Sequence, residues 1–146
     1  MKRRVTVRAV IVKAGKLLCV KLKPYNAAVT GEFWCTVGGG IDSGEPLLPA
    51  LTREVIEETG VMPVIGNLLY IHQFINGDVE SLEFFFHVTN ADDFMRVDLA
   101  ATTHGQVEIA EIDFIDAPSN NVFPTFLKTE SFDNLGPNTM SKIFSF

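Results

Sequence analysis

Two short stretches of the chain, Gly38-Gly39-Gly40-Ile41-Asp42-Ser43-Gly44-Glu45 and Arg53-Glu54-Val55-Ile56-Glu57-Glu58-Thr59-Gly60-Val61, carry residue types that can do chemistry. On a helix advancing ~100° per residue, Glu54, Glu57 and Glu58 fall within roughly a 100° arc. Leu47, Leu48, Leu51 and Val55 occupy the neighbouring arc and would pack on a sheet. Carboxylates at i, i+3 and i+4 repel one another, and they sit in the last turn, where the helix dipole disfavours negative charge. A cation resolves both penalties. Oxygen-only ligands select a hard ion, so Mg²⁺, or Mn²⁺ in its place, is the natural occupant. Such an ion bridges carboxylates to phosphoryl oxygens, polarises phosphorus and lowers the pKa of a bound water. The glycines ahead of the helix let backbone approach metal or phosphate with no Cβ in the way. The segment therefore reads as a metal-assisted phosphoryl-transfer site with water as acceptor. The competing reading, a helix end whose acidic residues simply face solvent, explains REVIEE alone but not the joint pattern.

The flanking chain supplies elements to hold that segment. Val5 to Val12 alternates and is β-branched, Ala14-Gly15-Lys16 is a turn, and Leu17 to Leu22 is a second strand, which together predict a hairpin. Lys23 to Glu32 reads as a loop and Phe33 to Val37 as a short strand ending in the glycine run. A helix is predicted from Glu45 or Pro46 to a C-cap at Gly60, with Pro63 preventing its resumption. Val64–Ile75 and Val79–Val88 are two long strands joined at Asn76-Gly77, a strong hairpin signal. Asn90 to Gly105 is irregular, anchored by Phe94, Val97 and Leu99. Glu111–Ile115 is a last strand, Asn121–Lys128 a short helix, and the tail from Glu130 has no period. Strands around one or two helices predict an α+β or α/β sandwich with a mixed sheet.

Composition sets the outer bounds. The chain has 146 residues, 12 Lys+Arg against 18 Asp+Glu for a net charge of −6, 47% hydrophobic and 21% charged residues. That is globular composition, and one domain over residues 1–146 is expected. A chain of this length buries roughly 68–70% of its unfolded surface without disulfide or structural metal. The acidic balance argues against a nucleic-acid polymer as partner. No run reaches the ~18 apolar residues of a membrane span, and Met1-Lys2-Arg3-Arg4 leads into a stretch broken by Arg8 and Lys13, unlike a signal peptide. Cys19 and Cys35 lack any framework spacing, so free thiols in a reducing cytoplasm are expected.

The joint spacing is Gly39, five residues, Glu45, seven residues, Arg53-Glu54, an aliphatic, any residue, Glu57-Glu58, any residue, Gly60, an aliphatic. By average composition a chance match in such a chain has a probability of roughly 10⁻⁸. The segment from Gly39 to Val61 matches the Nudix box at every specified position, so the chain resembles the Nudix hydrolase superfamily, in the MutT-like style. The resemblance implies an α/β/α sandwich over most of the chain. It implies hydrolysis of a nucleoside diphosphate linked to another moiety, by water attack on the diphosphate bridge with Mg²⁺ present. Glu54, Glu57 and Glu58 are then the metal ligands, and Gly38 adds a carbonyl. Arg53 and Glu45 orient those carboxylates. A further carboxylate is expected from a loop before the last strand, with Glu108 first and Glu111 next. Glu54 is the first choice for the base and Glu58 the second. Val37 stands where many members have proline, which alters loop stiffness but removes no ligand.

Tyr25, Phe33 and Asn121 are the candidates to contact the substrate. The two aromatics would stack on a base, and Asn121, with Asn120, would read a purine edge or else serve only in a turn or cap. His72 and His87 are read as strand residues. His104 is read as a loop residue, with a substrate or acid–base role as its lesser reading. Glu80 and Glu83 lie on opposite faces of a strand and cannot act as a close pair. Phe84-Phe85-Phe86 reads as core, and Lys21 and Lys23 as solvated strand ends. The resemblance also admits an isomerase on the same fold, using Cys35, or a binding module without turnover, although such modules typically lose box carboxylates. Among small nucleotide substrates, (deoxy)nucleoside triphosphates are favoured over nucleotide sugars and ADP-ribose by the short chain. A homodimer is common among such relatives.

Overall fold

The computed structural model describes residues 1–24 and 32–145; Tyr25 lies outside the described residues. The alternation at the start of the chain builds β1 (Lys2–Val10). Val7 and Ala9 enter a core shared with the helix, while Arg4, Thr6 and Arg8 line a cleft. A five-stranded mixed sheet runs β5-β1-β7-β6-β9. Its members are β5 (Gly38–Gly40), antiparallel to β1, and β7 (Val79–Val88), parallel to it. The long β6 (Ile65–Asn76) returns antiparallel to β7 through the Asn76-Gly77-Asp78 turn, and β9 (Lys142–Ser145) adds a parallel edge. In the second sheet β3 (Lys16–Leu22) is central. It pairs with β2 (Val12–Lys13), β4 (Cys35–Thr36) and β8 (Ile109–Ile115).

The one long helix among the described residues, α1 (Leu47–Thr59), starts after Pro46 and stops at Gly60, whose φ of 75° lets its N–H cap the Ile56 carbonyl at 2.8 Å. It buries Ala50, Leu51 and Val55 against Val7, Ala9, Leu18 and Val37. A second core gathers Leu69, Tyr70, Phe85 and Leu127. The cover on that side is made by 3₁₀ turns at Ala117–Ser119 and Thr125–Lys128. The result is a mixed α+β architecture with few helices. Phe85 and Phe86 are core, as expected. No helix among the described residues is long and apolar enough to cross a membrane.

Four elements differ from the sequence reading. The first strand breaks at Ile11, where the chain leaves β1 and starts β2 in the other sheet. The glycine run is strand rather than loop, because its backbone pairs with β1 at Thr6↔Gly40, Val7↔Gly39 and Arg8↔Gly38. Gly38 has φ 147°, and a Cβ there would strike the Val7 carbonyl oxygen, so only glycine fits. The helix expected over Asn121–Lys128 shrinks to one 3₁₀ turn, because Val122 instead bridges to Trp34. The aperiodic tail contributes β9, whose Phe144 stacks on Phe126 with centroids 4.2 Å apart. Phe144→Ala is expected to lower unfolding stability by roughly 2 kcal/mol, less than a fully buried Phe because the ring is half-buried. Denaturant titration checks this: the midpoint should fall at unchanged slope.

Candidate active site

The end of α1 facing β5 brings the box together. Arg53 is its hub: Nε and Nη2 each donate to Glu45 at 2.8 Å, Nη1 donates to Glu54 and Glu57 at 3.1 Å, and Nη2 also reaches the Gly40 carbonyl at 3.2 Å. Glu45 in turn accepts the Asp42 N–H at 2.9 Å, which ties the loop before the helix to the same network. The Arg53 fork and the Asp42 N–H hold the Glu45 carboxyl at about 2. The guanidinium is the local answer to the like-charge crowding on this helix.

Glu54 and Glu58 lie against β5. The Glu54 carboxylate occupies the space a Cβ on Gly39 would need, at 2.7 Å. Glu58 is 4% exposed and accepts the Gly38 N–H at 2.8 Å. Burial pushes its carboxyl up to about 8, with the charges of Glu54 and Glu108 adding to the effect. Burial also raises Glu54, opposed by Arg53. A carboxylate this buried, with one N–H partner, is costly unless a cation compensates it.

The residues fit a divalent ion in donor chemistry: three carboxylates and a glycine backbone with room around it. In the arrangement seen, no three His, Cys, Asp or Glu groups among the described residues converge closely enough to share one. Arg53 stands between Glu54 and Glu57, so joint ligation needs those carboxylates to turn from the guanidinium.

The structure brings Glu108 to this end of the helix. It terminates the one-turn α2 (Gly105–Glu108), and its charge is felt by Glu58. Glu111 lies out in β8, exposed and opposite Lys21. His104 is the residue the sequence undervalued. Its Nδ1 sits 3.0 Å from Glu57 Oε2, and its backbone N–H donates to the Glu57 carbonyl at 2.9 Å. Next to it, Gly105 is pressed on the Glu58 carbonyl so closely that a Cβ would collide. That loop docking carries Glu108 inward. A glycine beside a histidine, before a carboxylate, was the only signal available.

A cleft of about 750 Å³ opens on the other face of β1, away from the box carboxylates. Phe33 and Asn121 both line it, together with Phe74 and Phe123. Lys23 is tied down, its Nζ donating to the Gln106 carbonyl at 2.8 Å. Lys21 lies 4.8 Å from the Trp34 ring centre. Glu80 and Glu83 do face opposite ways, with Arg3 on one and Arg8 on the other. Cys19 and Cys35 are both free and buried.

Comparison with known proteins bears on the assignment. A family model described as the NUDIX domain matches residues 2–120. No curated protein matches significantly. Among solved structures, the MutT NUDIX hydrolase from Burkholderia pseudomallei superposes with a TM-score of 0.70 at 21% identity, over 90% of this chain and 99% of that one. A NUDIX hydrolase from Nitrosomonas europaea gives 0.62 at 26% identity, over 78% and 72%. An ADP-ribose pyrophosphatase from Streptococcus suis gives 0.56 at 16% identity, over 98% of each chain. With an intact glycine–glutamate–arginine–glutamate network on the helix and the family model covering most of its length, the chain belongs to the Nudix hydrolase family.

Proposed function

We propose that this chain, as a single domain, is a Mg²⁺-dependent pyrophosphohydrolase that cleaves a nucleoside diphosphate linked to another group. Mn²⁺ is the expected substitute. The favoured substrate is a (deoxy)nucleoside triphosphate, giving monophosphate and pyrophosphate. The observation that carries the reading is the buried Glu58 beside Gly38, with Glu54 one helical turn before it and Glu57 next to it in the chain, both held by Arg53. Glu54, Glu57, Glu58, Glu108 and the Gly38 carbonyl are assigned as the ligands. When bound, the ion supplies charge to the phosphoryl oxygens and acidity to a water. Glu54, or failing it Glu58, takes the proton of the attacking water. The water oxygen bonds to phosphorus as the anhydride P–O bond breaks and the leaving phosphate departs with that electron pair. Arg53 and Glu45 keep the carboxylates aimed, and Phe33 and Asn121 hold the base. The two buried free thiols fit the reducing cytoplasm expected above.

The likeness to an ADP-ribose pyrophosphatase over the full chain keeps nucleotide sugars and ADP-ribose as the second reading. A panel of triphosphates, nucleotide sugars, ADP-ribose and dinucleotides decides between them. Each is incubated with and without Mg²⁺, then coupled separately to inorganic pyrophosphatase and alkaline phosphatase. Phosphate after pyrophosphatase marks a triphosphate substrate; for nucleotide sugars, ADP-ribose and dinucleotides, which have no terminal phosphate until cleaved, phosphate after alkaline phosphatase marks the substrate. No metal-dependent release from a folded protein would leave a nucleotide-binding module instead.

The loop carboxylate is tested on whichever substrate is found. Glu108→Gln should lower turnover by about 10–100-fold, while Glu111→Gln stays near wild type. The reverse order would transfer the role to β8.

A further inference from the structure

The cleft on the other face of β1 ends on a buried charged pair that the box does not use. Glu83 is 4% exposed. Its Oε1 meets His72 Nδ1 at 3.0 Å, and its Oε2 accepts from Thr6 Oγ1 and Arg8 Nε, both at 3.2 Å. Both carboxylate oxygens are therefore engaged by the protein itself. Arg8, whose side chain is 17% exposed, is gripped twice, since Nη1 also donates to the Thr36 carbonyl at 3.1 Å. The rest of its guanidinium fork finds no acceptor among the described residues, and Arg8 lines the cleft. Phe33, Phe74 and Phe123 form apolar walls suited to a planar ring, with Phe33 and Phe74 edge-on to Phe123. The floor thus offers guanidinium donors held in one orientation.

We propose that Arg8, clamped by Glu83, reads the keto edge of a nucleobase in this cleft and selects guanine over adenine nucleotides. The inference rests on the nucleotide-hydrolase reading above and names its substrate class. None of the box carboxylates lines the cleft, so the phosphates stay outside and the base enters with the edge far from its sugar leading. That edge carries O6 beside N7 in guanine, two adjacent acceptors that a guanidinium fork matches. Adenine puts an amino group in the same place, donor against donor. Arg4, exposed at the rim beside Gly40, adds positive charge to the cleft. Glu83 is a positioning residue here, acting through Arg8.

The test is calorimetric binding of GMP and AMP to the full chain, which does not depend on turnover. Wild type should bind GMP at least about 5-fold more tightly than AMP. Arg8→Gln should erase or invert that ratio, because a glutamine amide pairs with N6 and N7 of adenine. Glu83→Gln keeps Arg8 but loosens its clamp, and should lower the GMP:AMP ratio while AMP affinity moves little. It also keeps the proposal testable if Arg8→Gln fails to fold. A wild-type ratio of one or below, no binding of either nucleotide, or equal weakening of both by each variant would overturn the proposal. The two readings fail separately. Metal-dependent hydrolysis with a ratio of one removes this inference alone, and guanine-selective binding without hydrolysis removes only the enzyme.

Discussion

Glu57→Gln is expected to lower Mg²⁺-dependent hydrolysis at least about 100-fold while leaving the fold in place. Glu57 is half-buried at the end of α1, with one oxygen shared between Arg53 Nη1 at 3.1 Å and His104 Nδ1 at 3.0 Å. Glutamine has the same shape, so packing is undisturbed and the change in stability should stay within about 1 kcal/mol. The amide lacks the negative charge a hard divalent ion requires of a ligand. Its NH₂ group would also face Arg53 or His104 donor to donor if it turned. Loss of an ion ligand therefore acts on turnover far more than on folding. Steady-state rates across a Mg²⁺ titration, with thermal unfolding as control, read both. Retained activity at ordinary Mg²⁺ would remove Glu57 from the ligand set, and a collapsed unfolding temperature would make its role structural.

The second large effect concerns Arg53, whose side chain touches no ion in the proposed reaction. Arg53→Gln should reduce kcat/KM by about 10–100-fold, the usual size when a group that orients metal ligands is lost. One guanidinium faces Glu45, Glu54, Glu57 and the Gly40 carbonyl at once. Without it, Glu45, Glu54 and Glu57 lose their shared partner and spread into other rotamers. Arg53→Lys should rescue little, since an ammonium cannot make the paired contacts to Glu45 and also reach Gly40. Because Arg53 stands where joint ligation by Glu54 and Glu57 must displace it, Mg²⁺ affinity is the second readout. A variant that binds Mg²⁺ more tightly and turns over unchanged would reduce Arg53 to a placeholder for the ion.

The site was legible in the chain to the extent that its parts are local. Glu54, Glu57 and Glu58 owe their common face to helical periodicity, and Gly60 marks the end of α1 by a left-handed cap that few other residues adopt. Glu45 and Arg53 are eight residues apart but meet across the helix start, a contact that spacing alone could suggest. What stayed hidden depends on long-range pairing. Arg8 and Glu83 are joined only because β1 runs parallel to β7 in the register Thr6↔Glu83. Parallel registers leave no turn signal between partners. His104 reaches Glu57 through a loop with no period, held by its backbone N–H on the helix's carbonyl. The triple glycine could not be read as strand, because strand signals rest on side chains and β5 has none. The tail likewise gains β9 from packing of Phe144 on Phe126 and Tyr70 rather than from its own pattern.

In the proposed reaction the box directs water onto a phosphoanhydride only when a divalent ion is present. Hydrolysis of the best nucleotide substrate in ¹⁸O-labelled water, with Mg²⁺ and with chelator, measures it directly when products are weighed by mass spectrometry. One ¹⁸O atom is expected in one phosphate product per turnover with Mg²⁺, none with chelator, and label accumulating at least about 100-fold more slowly with Glu57→Gln. Label incorporated equally without metal, or no incorporation by folded, Mg²⁺-saturated protein on any nucleotide of the panel, would contradict the proposed reaction.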